Sequence, residues 1–146
     1  SLRGRLDAVR AAVAGGVPVP VMVLEWTDPP FTPGHWVPDM VTAAGGLPLL
    51  GSAGARSVRT SWPAVLAAQP AVVVAASCGF GLADSMRLAE EVADRVPRDV
   101  PLWAVDANAS FARPGPRLVD GVEALAAILH PDARLPLDHS LARRVR

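Results

Sequence analysis

With 146 residues, 51% of them hydrophobic and 19% charged, the chain is sized for one domain with its own apolar core. Basic and acidic residues balance at 14 each, which gives no electrostatic footing for nucleic acid or for an anionic membrane surface. The lone Cys78 excludes an internal disulfide framework, and no apolar run approaches the ~20 residues of a membrane helix, so no direct membrane insertion is expected. Every basic residue is Arg and none is Lys, a bias that suits a GC-rich bacterial coding sequence.

The chain opens on a helical pattern, Leu2, Leu6, Val9 and Val13, with Arg3, Arg5, Asp7 and Arg10 on the other faces. Because it starts mid-pattern with no strand before it, a piece of a longer protein is expected. Val19 to Leu24 is nearly continuous in apolar residues, as a strand buried on both faces must be, and Leu47 to Leu50, Ala71 to Ala76 and Val100 to Val105 repeat that character. Between them, Val37, Met40, Val41 and Ala44 share one helix face. Ser61 reads as the N-cap of a short helix with Pro63 in its first turn. Leu82, Met86, Ala89, Ala93 and Val96 make a longer ladder, and Leu118, Val122, Leu125 and Leu129 a last one that stops at Pro131. Four strand-helix units with short connections predict an α/β fold: three layers, a mostly parallel four-stranded sheet with helices on both faces.

The most informative connection runs from Leu24 to Met40. It sets Trp26, Phe31, His35 and Trp36 on a loop stiffened by Pro29, Pro30 and Pro33. Two readings stand: a preformed surface for a flat ligand, or Trp26 and Phe31 capping the end of the sheet. In open α/β sheets ligands sit outside the carboxyl ends of the strands, where strand order reverses. If the second strand lies on one side of the first and the third on the other, loops 26–35 and 77–81 flank that crevice, with 106–115 along the same edge.

Other motifs are weaker. Ser77-Cys78-Gly79-Phe80-Gly81 resembles the first half of a dinucleotide fingerprint, but the third glycine position holds Asp84. Cys78 also sits where a nucleophile elbow would place its sulfur, yet Phe80 occupies a position that such turns reserve for a small residue. A buried, inert thiol is the expectation, and a small α/β enzyme using Cys78 is the alternative from another class. His35 and Asp39 have a spacing that can put two metal ligands on one helix face, with no third ligand to complete a site. Asn108 is expected to shape its turn through the side-chain carbonyl, and Arg113 and Arg117 flank Pro114-Gly115-Pro116.

The order and spacing of four segments carry a family resemblance. These are Trp26 to His35 with its Asp-Pro-Pro-Phe-Thr core, Ala43-Ala44-Gly45-Gly46, Leu66-Ala67-Ala68-Gln69-Pro70, and Phe111 to Arg117. Together, over residues 15 to 131, they resemble the C-terminal lobe of cobalamin-binding proteins of the ABC-transporter substrate-binding class. The resemblance implies two α/β lobes joined by one long helix, with the corrinoid held between them. Residues 1–14 would then end the connecting helix, 15–131 form the Rossmann-like C-terminal lobe, and 132–146 form a tail. It implies a bound cobalamin, with iron-siderophore or haem as alternatives, and a binding lobe with no catalytic residue; no metal ligand is assigned, and coordination by His35 is left open. Trp26, Phe31, Trp36, Phe80 and Phe111 would offer apolar faces to the macrocycle. Asp28, Asn108 and Arg113 would meet its peripheral amides, and His35, Cys78 and Gly79 would border it. An ABC permease is an implied partner, although this chain reads Ser61-Trp62-Pro63-Ala64 where transport members often carry a docking acidic residue. Gly34-His35-Trp36 and Cys78-Gly79-Phe80 resemble a cobalamin-binding subgroup whose members often lack an evident export signal, which leaves periplasmic, cell-surface and cytoplasmic locations open.

Overall fold

A computed structural model describes residues 1–112 and 114–146. Helix α1 (Leu2–Val13) is capped by Ser1, whose Oγ accepts the Gly4 N–H at 3.1 Å. It buries Val9 and docks on helix α6 (Arg117–Leu129) through the Arg5 guanidinium, which bonds both Asp120 and Glu123. The chain continues through β1 (Val19–Leu24), a small hairpin of β2 (Trp26–Thr27) and β3 (Pro30–Phe31), α2 (Val37–Ala43), β4 (Gly46–Pro48) and α3 (Trp62–Ala67). It then forms β5 (Val72–Ala75), α4 (Leu82–Glu91), β6 (Leu102–Val105), α5 (Ala107–Ser110), α6 and β7 (Ala142–Arg144).

The main sheet has the order β4-β1-β5-β6-β7, with β4, β1, β5 and β6 parallel and β7 antiparallel to β6. Along β1, Val21 and Val23 point into a core shared with α1, α2 and α6, while Met22 and Leu24 point into a second core with α3 and α4. The same alternation separates Val72 and Val74 from Val73 and Ala75 on β5. Burial on both faces explains why these strands read as unbroken apolar runs.

All four expected strands are present, so the mostly parallel α/β class stands. The sheet nevertheless has five strands rather than four, and the fifth comes from the segment 132–146, expected as a tail. Without β7, the β6 edge would be an open row of backbone groups. Trp103 pairs with Arg144 and Val105 with Ala142, and the Arg146 guanidinium donates to the carbonyls of Ala93 and Pro97 at 2.9 and 3.1 Å. Bounds differ locally too. The second strand covers Gly46–Pro48 rather than Leu47–Leu50, because Leu50 takes a left-handed conformation (φ 61°) that ends it. The ladder expected to reach Val96 breaks after Glu91 into a short 3-10 turn at Ala93–Arg95.

Candidate functional site

From β1 the chain passes to β4 on one side and returns to β5 on the other, so strand order reverses between β1 and β5. The assumed arrangement of the first three strands is therefore the observed one. At this point the carboxyl end of β1 delivers Glu25, that of β5 leads into Ser77-Cys78, and that of β6 leads into α5 and Phe111.

Backbone bonds fix these ends to one another. The Glu25 N–H donates to the Phe31 carbonyl at 3.1 Å, folding the β2–β3 hairpin over the strand end. The Cys78 N–H donates to the Glu25 carbonyl at 3.2 Å, and the Asn108 N–H to the Phe80 carbonyl at 3.1 Å. The segment after β3 is held by a strap of residues 51–60. The Thr32 N–H donates to the Val58 carbonyl (2.9 Å), the Ser57 hydroxyl to the Thr32 carbonyl (2.6 Å) and the His35 N–H to the Ala55 carbonyl (2.6 Å). His35 itself is left-handed (φ 55°), and its carbonyl accepts the Gly54 N–H at 3.0 Å. The strap passes so close that a Cβ on Gly34 would sit 2.2 Å from the Ser57 nitrogen, so only glycine fits there.

The result is a hollow of about 250 Å³ lined by Glu25, His35, Trp36, Cys78, Phe111 and neighbouring backbone. A shallower depression lies beside it, lined by Glu25, Trp26, Phe31, Ser57 and Cys78, so that Glu25 and Cys78 are shared by the two. Trp26 meets Phe80 edge to face, with ring centroids 5.4 Å apart, and both rings are half-buried. Asn108, Pro114 and Arg117 line a third depression that shares Phe111 with the first.

The expected site residues do not all converge. Trp26, Phe31, His35, Trp36, Cys78 and Phe111 surround the crevice. Asp28 is exposed at the hairpin tip and faces Arg95 at 4.0 Å, away from the lining. Phe80 backs Trp26 and Gly79 (φ 78°) shapes the turn before α4, neither of them lining the two hollows. Trp36 acts partly as a strut: its indole N–H donates to the Phe111 carbonyl at 2.8 Å and its ring packs on the core. Arg113 lies outside the described residues.

Two further expectations, on Cys78 and Asn108, are corrected, and the weak His35–Asp39 pairing is not formed. Cys78 is exposed, not buried, because the turn after β5 carries it above the sheet edge. His35 precedes α2 in a left-handed turn, so it cannot share a helix face with Asp39, and no cluster of three or more metal-ligating residues occurs among the described residues. The turn at 106–109 is shaped by Asp106, whose Oδ1 accepts the Ala109 N–H at 2.8 Å, and not by the exposed Asn108.

Glu25 escapes a reading based on aromatic residues. Its Oε2 accepts the Gly34 N–H at 2.5 Å. Burial pushes its carboxyl above the ordinary range, and the Gly34 bond and the nearby His35 offset this in part. An acidic residue directly after six strand residues was the signal available in the sequence, since such a group at a strand's carboxyl end faces the crevice.

No protein-family model matches the sequence, nor does any curated protein. Solved structures do match in fold. A periplasmic heme binding protein of Pseudomonas aeruginosa is 26% identical with a TM-score of 0.67, covering 96% of this chain and 53% of its own. The periplasmic vitamin B12 binding protein of Vibrio cholerae is 23% identical with a TM-score of 0.62, covering 92% and 52%. An ABC transporter substrate-binding protein of Listeria monocytogenes is 17% identical with a TM-score of 0.72, covering 89% and 54%. The chain thus has the fold of a part of these binding proteins and spans about half the length of each.

Proposed function

We propose that this chain supplies one wall of a binding site for a large planar metal chelate, as the C-terminal lobe of the substrate-binding component of an ABC-type uptake system. The reading rests on one observation above the rest: the crevice at the strand-order reversal is walled by Trp26, Phe31 and Trp36 on a strapped, preformed loop, with the buried Phe111 from the end of α5 also in its lining. Cobalamin is the preferred ligand on the sequence resemblance, with haem and iron-siderophore chelates as alternatives. The matching proteins named for vitamin B12 and heme support both. In this reading α1 ends the connecting helix, a second lobe closes the crevice, and a permease receives the ligand.

An enzyme built on Cys78 is less well supported. The thiol is exposed and shares the hollow with His35, but among the described residues no hydrogen bond joins the two as a nucleophile and its base require. The test is titration of protein from the complete reading frame with cyanocobalamin, haemin and a ferric siderophore, followed by tryptophan quenching and visible absorption. Saturable binding of the corrinoid is expected. No binding of any of the three up to about 1 mM, where affinity falls to about 4 kcal/mol, overturns the reading.

A further inference from the structure

We propose that Glu25 is the specificity-determining group of this crevice, selecting chelates that present amide N–H donors over chelates that present carboxylates at the same point. The proposal rests on the chelate-binding reading above and refines it.

Glu25 lines both hollows, so a ligand filling either one lies beside it. An ionised carboxylate accepts hydrogen bonds and donates none. Its Oε2 is already engaged by the Gly34 N–H, which fixes the side chain against a backbone that the 51–60 strap holds in place. Oε1 has no hydrogen-bond partner among the described residues, and it is not among the buried atoms left unsatisfied, so it is open to a ligand donor. Asp28, the acidic residue expected to meet peripheral amides, points to Arg95 instead.

The rest of the lining sharpens the choice. Around the two hollows the other titratable groups are His35 and Cys78, and no Arg stands among the described lining residues. A ligand carboxylate placed here would meet a like charge in a half-buried setting, with no fixed cation among the described lining residues to offset it, a repulsive element of the kind that builds specificity. A primary amide would instead donate to Oε1. Corrinoids carry amides around their rim, whereas haem carries two carboxylates.

The experiment compares cyanocobalamin with its monocarboxylic acids, in which one rim amide is hydrolysed, in wild-type protein from the complete reading frame and in Glu25→Gln, at about pH 8. Glutamine keeps an acceptor for the Gly34 N–H and removes the charge. We expect at least one of the acids to bind wild type about tenfold more weakly than the amide, and this gap to close to about threefold or less in the variant. Haemin binding should strengthen in Glu25→Gln. A wild-type protein that binds corrinoid without discriminating any acid, or a preference unchanged in Glu25→Gln, overturns the proposal while leaving chelate binding intact. A wild-type protein that binds no corrinoid overturns both.

Discussion

Glu25 is worth following through its pH dependence, because its ionisation belongs to both the site and the fold. Its folded-state value lies above the unfolded reference of 4.5, so the folded chain holds this proton more tightly than the unfolded one. The contribution is complete below the unfolded value and is lost as pH rises through the folded one. Glu25→Gln has no such loss. The stability of the variant relative to wild type should therefore rise as pH increases from about 4.5, measured by urea melts along a pH series. A difference that stays flat with pH would show that the carboxyl is as well solvated folded as unfolded. Gly34 gives the second residue-scale prediction. Gly34→Ala drives a Cβ to within 3 Å of three backbone atoms of residues 55–57, none of which can rotate aside. We expect a loss of about 2–3 kcal/mol in a urea melt, in the range of overpacked sites.

At the scale of elements, the aromatic loop and β7 carry different duties. Trp26 is half-buried on the hairpin, braced by Phe80, and belongs to neither buried core, so Trp26→Ala should leave most of the stability in place while weakening chelate binding. Trp36 spans both roles. Trp36→Phe keeps an aromatic ring but a smaller one and orphans the Phe111 carbonyl, and should cost at least about 1 kcal/mol, read in the same melts. A Trp26→Ala loss as large as the roughly 3–5 kcal/mol of a truncated core tryptophan would make Trp26 a cap of the sheet end and not a binding wall. His35→Ala should leave the visible spectrum of a bound corrinoid unshifted, since its ring leans on Trp36 with centroids 5.6 Å apart. The elements most legible in the sequence were those buried on two sides. The apolar runs at Val19–Leu24 and 71–76 leave one placement for a strand, and the Ser61 cap was readable because a hydroxyl before Trp62-Pro63 has one backbone partner to find. β7 was illegible because Ala142-Arg143-Arg144 buries a single side chain, and its strand character comes from the open edge of β6 rather than from its own composition. The crevice followed the same division. Aromatic residues announced themselves, whereas the roles of Glu25 and Gly34 depend on the strap at 51–60, which has no periodicity to read.

For the whole molecule the question is what one lobe can do alone. Two apolar cores cover both faces of a five-stranded sheet, α1 is pinned to α6 by the Arg5 pairs, and β7 closes one edge. Nothing in this core requires a ligand, so thermal unfolding of the 146-residue chain should be a single cooperative transition without added chelate, with calorimetric and van't Hoff enthalpies in agreement. Binding is a different matter. A ligand lying against the Trp26–Phe111 wall keeps one of its faces in water, well short of the roughly 70–90% burial of a competent site. Much of the association cost must still be met, because fixing a ligand's translation and rotation takes about 4 kcal/mol or more whether one face is covered or two. The folded chain alone should therefore bind cyanocobalamin no more tightly than about 100 µM, roughly 5–6 kcal/mol, by equilibrium dialysis. Sub-micromolar binding by this chain would mean that its own crevice is the complete site, and that the opposing wall of the two-lobe reading is not needed to hold the ligand.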